Sequence, residues 1–327
     1  MRLAVVGTGA TGAHCARTLR RLLPHAALTL IDCDHGKAQA LASSLEGEVG
    51  SASSLETAPL PAVVVLCVPA GLHGELASGA LALGCDVVSV ADAIDDLQGL
   101  LELDELARKG ARRVVVGAGF SPGLSCILAR HAATLFDEVE EIHIAKSGTG
   151  GPACARQHHR ALPALNWEWR DGRWIRRRGS SGRRLVWFPG LVGARDCYRA
   201  GLAEPFLLQR SFPDATRLTA RMAATRRDRL TGWLPMLRRP HADGGPGGLR
   251  VEVWGRRDGV MDVVVYGAAD QPALVAGTMA ATAVDGLAKG WFPDSGVFGV
   301  GQCLDPAVVL AAVSALGVHL AVFEGAA

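Results

Sequence analysis

Gly7, Gly9 and Gly12 stand in G-x-G-x-x-G spacing within LAVVGTGATG, and Asp32 closes a second apolar run, ALTLID, twenty positions later. This pattern can hold a dinucleotide. Gly7 permits a tight turn out of a strand, Gly9 lets a diphosphate approach the backbone, and Gly12 lets the following helix pack closely. Thr8, Ala10 and Thr11 complete a loop whose N–H groups, at a helix start, attract phosphate. The Asp32 carboxylate suits an adenosine ribose diol and repels a 2′-phosphate. Asp34 adds to that repulsion and His35 and Lys37 weaken it, so NAD is expected, with NADP as the alternative.

Other residues offer chemistry at the ends of later apolar runs. Val68 and Pro69 lead a loop expected to pass near the cofactor, and His73 reads as a solvent-facing residue at the start of the next helix. Asp92 ends VVSVAD, where a carboxylate can anchor an ammonium, take its proton or cap a helix. Asp95 and Asp96 read as ordinary first-turn acids. Lys146 closes EEIHIAK before the glycine-rich SGTGGP, and CARQHHRAL then places Arg156, His158, His159 and Arg160 within five residues. An arginine fork matches a carboxylate. A histidine can take the proton that must leave an amine before hydride departs. Neighbouring histidines do not share a helical face, so at most one is catalytic, and His158 is the candidate. The bland alternative is a basic helix face on the surface. No metal is expected, because two adjacent histidines without carboxylates beside them are a poor zinc set.

The elements that must position these groups alternate regularly at first. Up to residue 122, apolar runs such as AVVVLCV alternate with alanine-rich helical stretches, including one over Leu97–Lys109. That alternation predicts an α/β, doubly wound parallel sheet. From residue 123 the texture becomes that of half-buried strands, with Asp171-Gly172 and Asp258-Gly259 as hairpin turns. A helix is expected over Ala215–Leu230, another over Ala273–Lys289, and a terminal helix and strand after Pro306. The domains expected are 1–122, a dinucleotide-binding domain completed by 291–327, and 123–290, an α+β domain for substrate and dimerisation.

Composition sets the class. The 327 residues are 49% hydrophobic and 20% charged, which suits a globular chain of two domains. The first strand begins at once, so no leader segment is expected, and the apolar stretch 306–323 reads as helix and strand rather than a membrane span. Eight cysteines without a C-x-x-C pair suggest free thiols in the cytoplasm. Residues 123–260 carry 24 Lys/Arg against 13 Asp/Glu, a balance of +11, while the flanking segments are acidic. The excess points to an anionic ligand. Trp167, Trp169, Trp174 and Trp187 alternate with arginines at strand spacing, which fits a half-buried sheet better than nucleic-acid stacking.

VVGTGATG, VGAGFSPGLSCILARHA at 116–132, and the pair VEVWGRRDGVMDVVVYG and AATAVDGLAKG resemble the saccharopine reductase-type dehydrogenases, with diaminopimelate dehydrogenase as a more distant likeness. The resemblance implies NAD(P)-dependent oxidation, or the reverse reduction, at the C–N bond of an amino acid or secondary amine. It places the nicotinamide near Pro69, Asp92 and Gly119–Pro122, with Asp92 matching an amine-binding aspartate. Where that family carries Asp before Pro-Gly this chain has Ser121, which can hydrogen-bond an amine without supplying a counter-charge. The implied partners are a small anionic amino-acid or amine substrate and a second copy in a homodimer. CVPAGLHGELASGALALG is also similar to the glucose–fructose oxidoreductase superfamily, which acts on sugars or polyols; VADAIDD stands where that family has E-K-P. Ser121 leaves open a third reading, a dinucleotide-binding sensor without turnover.

Overall fold

The computed structural model describes residues 1–236 and 239–323. The chain forms two compact units, Met1–Gly123 with Ala273–Asp305, and Leu124–Pro272 with the segment from Pro306 on. The chain therefore returns to the first unit at Ala273, earlier than residue 291, and its terminal helix and strand belong to the second unit.

In the first unit, β1 (Arg2–Val6), β2 (Ala27–Ile31), β3 (Val49–Ala52), β4 (Val63–Leu66), β5 (Asp86–Ser89) and β6 (Arg113–Val116) alternate with helices. These are α1 (Ala10–Leu22), α2 (His35–Ser43), α3 (His73–Ala82), α4 (Ile94–Leu101) and α5 (Asp104–Lys109). All pairings are parallel, in the order β3-β2-β1-β4-β5-β6, with β15 (Gly296–Gly299) added beside β6. The order reverses between β1 and β4, so the crossovers on either side run over opposite faces and leave a crevice at the strands' carboxyl ends. β4 and β5 are buried at every position, as a doubly covered strand requires. The helix expected over Leu97–Lys109 is two, α4 and α5, broken at 102–103. The later helix α10 (Pro272–Ala288) lies against α1, where a Cβ on Gly277 would stand 2.6 Å from the Cβ of His14.

The second unit is a nine-stranded, mostly antiparallel sheet. It begins with α6 (Leu124–Ala133), β7 (Glu138–Ser147) and α7 (Pro152–Ala161), followed by β8 (Asn166–Arg170), β9 (Arg173–Arg177), β10 (Arg184–Phe188) and β11 (Gly193–Tyr198). Then come α8 (Glu204–Ser211), β12 (Arg217–Ala223), α9 (Arg226–Thr231), β13 (Gly247–Arg257), β14 (Val260–Asp270), α11 (Pro306–Ala315) and β16 (Leu320–Val322). Both expected hairpins form: Asp171 and Gly172, like Asp258 and Gly259, all have positive φ, the geometry of a two-residue turn that matches strand twist. Ala215–Leu230 is not one helix. Leu218, Ala220 and Met222 alternate inward against Arg217, Thr219 and Arg221, and β12 pairs in parallel with β7; tertiary pairing overrides the helix propensity of Ala and Arg. Among the described residues no helix is long and apolar enough to cross a membrane.

Candidate functional site

The glycine loop leaves β1 at the crevice. Gly7 has φ +91°, and a Cβ there would strike the Cys67 carbonyl on the loop leaving β4. A Cβ on Gly12 would strike the Gly7 carbonyl, so this glycine lets α1 seat on the turn that feeds it. Gly9 differs: no protein atom lies within 4 Å of its would-be Cβ, which leaves a backbone surface open to a ligand. α1 starts from Gly9 without a side-chain cap and without an acid in its first turn, so its N–H groups keep their attraction for phosphate. The residues fit a nicotinamide dinucleotide, whose diphosphate Gly7, Thr8, Gly9, Ala10, Thr11 and Gly12 would hold.

Asp32, just past β2, braces this loop. Its Oδ2 accepts from the Thr8 N–H (2.7 Å) and the Thr8 hydroxyl (2.8 Å), and its Oδ1 accepts from the Asp34 N–H (3.0 Å). Burial pushes its carboxyl up, but the hydrogen bonds from Thr8 and Asp34 outweigh it and hold Asp32 below the ordinary carboxylate range. A full negative charge therefore stands at the end of β2. Asp32→Ala is expected to weaken NAD about tenfold and erase its advantage over NADP, roughly 1.4 kcal/mol, as calorimetric titration of both cofactors measures.

The neighbouring loop carries a network the sequence hid. His73 is buried, at 2% exposure, and not solvent-facing. Its Nε2 lies 3.0 Å from the Val68 carbonyl and its Nδ1 2.9 Å from the Ser89 hydroxyl. A carbonyl only accepts, so Nε2 carries the proton and Nδ1 accepts from Ser89. Burial lowers the His73 pKa, and the Asp96 and Asp92 carboxylates oppose that without reversing it. Asp96 is no ordinary first-turn acid either: it is buried and accepts from the N–H groups of Gly71 (2.8 Å) and His73 (3.3 Å), anchoring the start of α3. Serine and histidine sixteen residues apart gave no local signal; only the adjacency of β4 and β5 brings them together.

Asp92 follows β5, is half-buried, and lies close enough to act on the charge of His73. The N-cap of α4 is Ala93, whose methyl group makes no capping bond. Gly119 donates to the Pro122 carbonyl (3.1 Å) in the turn after β6, and Ser121 is buried within that turn.

In the second unit, Lys146 lies in the interior at 2% exposure, with its Nζ 3.4 Å from Oε1 of the equally buried Glu204 on α8. Arg156 and Arg160 lie on the exposed side of α7, whereas Lys146 is buried. The ion pair explains Lys146 as a tie between β7 and α8, a role whose partner, Glu204, lies 58 residues away. The two histidines of α7 separate as helical geometry requires. His159 donates to the Leu234 carbonyl (2.7 Å), while the His158 Nε2 lies 3.6 Å from the Cys154 sulfur.

Residues 1–118 match a family model described as an oxidoreductase family with an NAD-binding Rossmann fold. Comparison with curated proteins finds no match. Among solved structures, the chain is similar to apo saccharopine dehydrogenase (L-Glu forming) from Saccharomyces cerevisiae, with TM-score 0.71 and 13% identity, covering 99% of this chain and 100% of that one. It is also similar to DAP dehydrogenase of C. glutamicum in complex with DAP, with TM-score 0.52 and 16% identity over 97% and 99% of the two chains. GenD2 from gentamicin A biosynthesis, in complex with NAD, gives TM-score 0.50 and 15% identity over 99% and 97%. The chain thus shares its fold with these structures over its full length, and residues 1–118 match an NAD-binding Rossmann fold.

Proposed function

We propose that the chain is an NAD(P)-dependent oxidoreductase acting on the C–N bond of an amino acid or secondary amine. The observation that carries this reading is the pairing of an intact dinucleotide loop, braced by ionised Asp32, with a full-length fold shared with saccharopine dehydrogenase. The nicotinamide dinucleotide supplies the hydride acceptor; the chain supplies orientation and charge. Asp92 anchors the substrate ammonium and Ser121 hydrogen-bonds the amine. On the second unit, His158 takes a proton and Arg156 and Arg160 bind the substrate's carboxylate. Lys146 acts through Glu204, holding β7 in place. The eight cysteines form no disulfide, which supports a cytoplasmic setting, and the broad antiparallel sheet supports a homodimer.

A panel of amino acids and secondary amines, run against polyols with either cofactor and followed at the reduced-nicotinamide absorbance, tests the reading. Activity with amines supports it. Activity with polyols alone selects the sugar-oxidoreductase reading, which the family model of the first unit favours. Binding of cofactor without turnover of any substrate selects the sensor.

Three substitutions locate the chemistry. Asp92→Asn keeps the shape and removes the charge, and is expected to lower kcat/KM about a hundredfold, roughly 2.7 kcal/mol, with the melting temperature unchanged. Arg156→Ala and Arg160→Ala are each expected to raise KM about tenfold, since a charge-assisted bond contributes roughly 1.5–3 kcal/mol. Arg177→Ala, on an exposed hairpin strand, is the control and is expected to change neither.

A further inference from the structure

Three of the arginines in residues 123–260, Arg184, Arg221 and Arg250, line one cleft on the second unit's sheet. In register across the sheet, Arg221 of β12, Ala145 of β7 and Arg250 of β13 are direct neighbours, and beside them stand Thr219, His143 and Glu252. Strands lie about 4.8 Å apart, so two long guanidinium chains flank a single methyl group. The short residue between them leaves a recess. β10 crosses above it, with Val186 packed on Ala145, and Arg184 closes one end.

The charges around this cleft do not balance. Glu252 is the single carboxylate among the lining residues, and it serves two arginines: Arg250 Nε at 2.8 Å and Arg184 Nη2 at 3.0 Å. Burial raises its carboxyl, but those guanidinium groups outweigh the effect and keep it ionised. His143 is pushed towards neutrality by burial and is already engaged, by the Thr219 hydroxyl (2.8 Å) and Glu141 (2.9 Å). Arg217 and Arg199 have carboxylates of their own, Glu141 and Glu168. Arg221 has none among the described residues; it donates to the Gly182 carbonyl.

The backbone is shaped to hold this arrangement. Gly182 has φ +60°, and a Cβ there would run into the Arg199 guanidinium and lie 3.1 Å from that of Arg221. Glycine thus lets two like charges close on one turn. Three arginines against one glutamate leave a surplus of two positive charges around a recess.

We propose that this cleft binds a phosphate group, as inorganic phosphate or a phosphate monoester. Its oxygens meet the part of the Arg221 guanidinium left beside its bond to Gly182, whose planar donors suit phosphate bidentately, while Arg184 and Arg250, engaged by Glu252, contribute charge. A dianion matches the surplus charge. The site lies wholly within the second unit and is independent of the dehydrogenase reading.

Calorimetric titration of the full chain with inorganic phosphate, and separately with glycerol phosphate, at ionic strength matched with chloride, tests this. The expected result is saturable binding of one phosphate per chain, weakened about tenfold or more by Arg221→Gln and unchanged by Arg177→Gln. Tighter binding of the monoester identifies the esterified form as the ligand, and equal binding identifies free phosphate; both support the site. Without phosphate, Arg221→Gln is expected to melt no lower than the parent, since it removes a charge crowded by Arg199, Arg184 and Arg217. Arg221→Lys, which keeps the charge and loses the fork, gives an independent reading with partial loss. Absence of saturable heat, or affinity untouched by both Arg221 variants, overturns the proposal.

Discussion

Gly12→Ala is expected to abolish useful dinucleotide binding, with a loss of about a hundredfold, roughly 2.7 kcal/mol. The added methyl would collide with the Gly7 carbonyl, which is backbone and cannot rotate away. α1 must then lift from β1, and its N–H groups leave the place where Gly9 opens the loop to phosphate. Overpacking of this kind costs about 1–3 kcal/mol of stability besides, so the variant also melts earlier. Gly9→Ala meets no protein atom. It is expected to keep the parent's melting temperature while weakening NAD, and this split between stability and affinity separates a ligand-facing glycine from a packing one.

His73→Ala is expected to cost about 2–4 kcal/mol of stability, because it leaves the Val68 carbonyl and the Ser89 hydroxyl buried without their partners. Val68 begins the loop that faces the glycine turn, so NAD affinity should fall with it. The pH dependence follows from protonation. The folded pKa of His73 lies below its unfolded value of about 6.5, so the unfolded chain binds the extra proton first. The contribution of the neutral ring is complete above that pH and is lost as the pH falls through the folded value. Thermal melts at about pH 7.5 and pH 5.5 should show a drop in the parent that His73→Ala lacks. Asp96 and Asp92 oppose the shift, so Asp96→Asn should leave the onset of the drop in place and extend it to lower pH. An equal drop in parent and His73→Ala would place the sensitive group elsewhere.

The first unit was largely legible in sequence, because its signals are local. Glycine spacing, buried runs such as VVVL and an acid after β2 each sit within a few residues of what they explain. Asp-Gly turns announced both hairpins for the same reason, since only φ above zero at both positions closes them. What escaped was non-local. β12 reads as helix by composition, and only its place between β7 and β11 makes it a strand. Lys146 looked like an available cation until Glu204 arrived from α8. His73 looked exposed, since nothing in AGLHGEL points to Ser89. The arginine surplus was plain, yet the placing of Arg221 and Arg250 beside Ala145 needed the register of three strands. Of the candidate groups, Asp92, Ser121, Arg156, His158 and Arg160 carry roles that substitution has still to test.

The central claim is that hydride leaves a carbon bearing nitrogen. Incubating the chain with NAD and an equimolar mixture of α-deuterated amino acids, then weighing the reduced cofactor by mass spectrometry, tests it directly. Reduced nicotinamide heavier by one deuterium is the expected result, with the label lost when Asp92 is replaced by asparagine. Label arriving only from carbinol-deuterated polyols, and never from the amino acids, would contradict it.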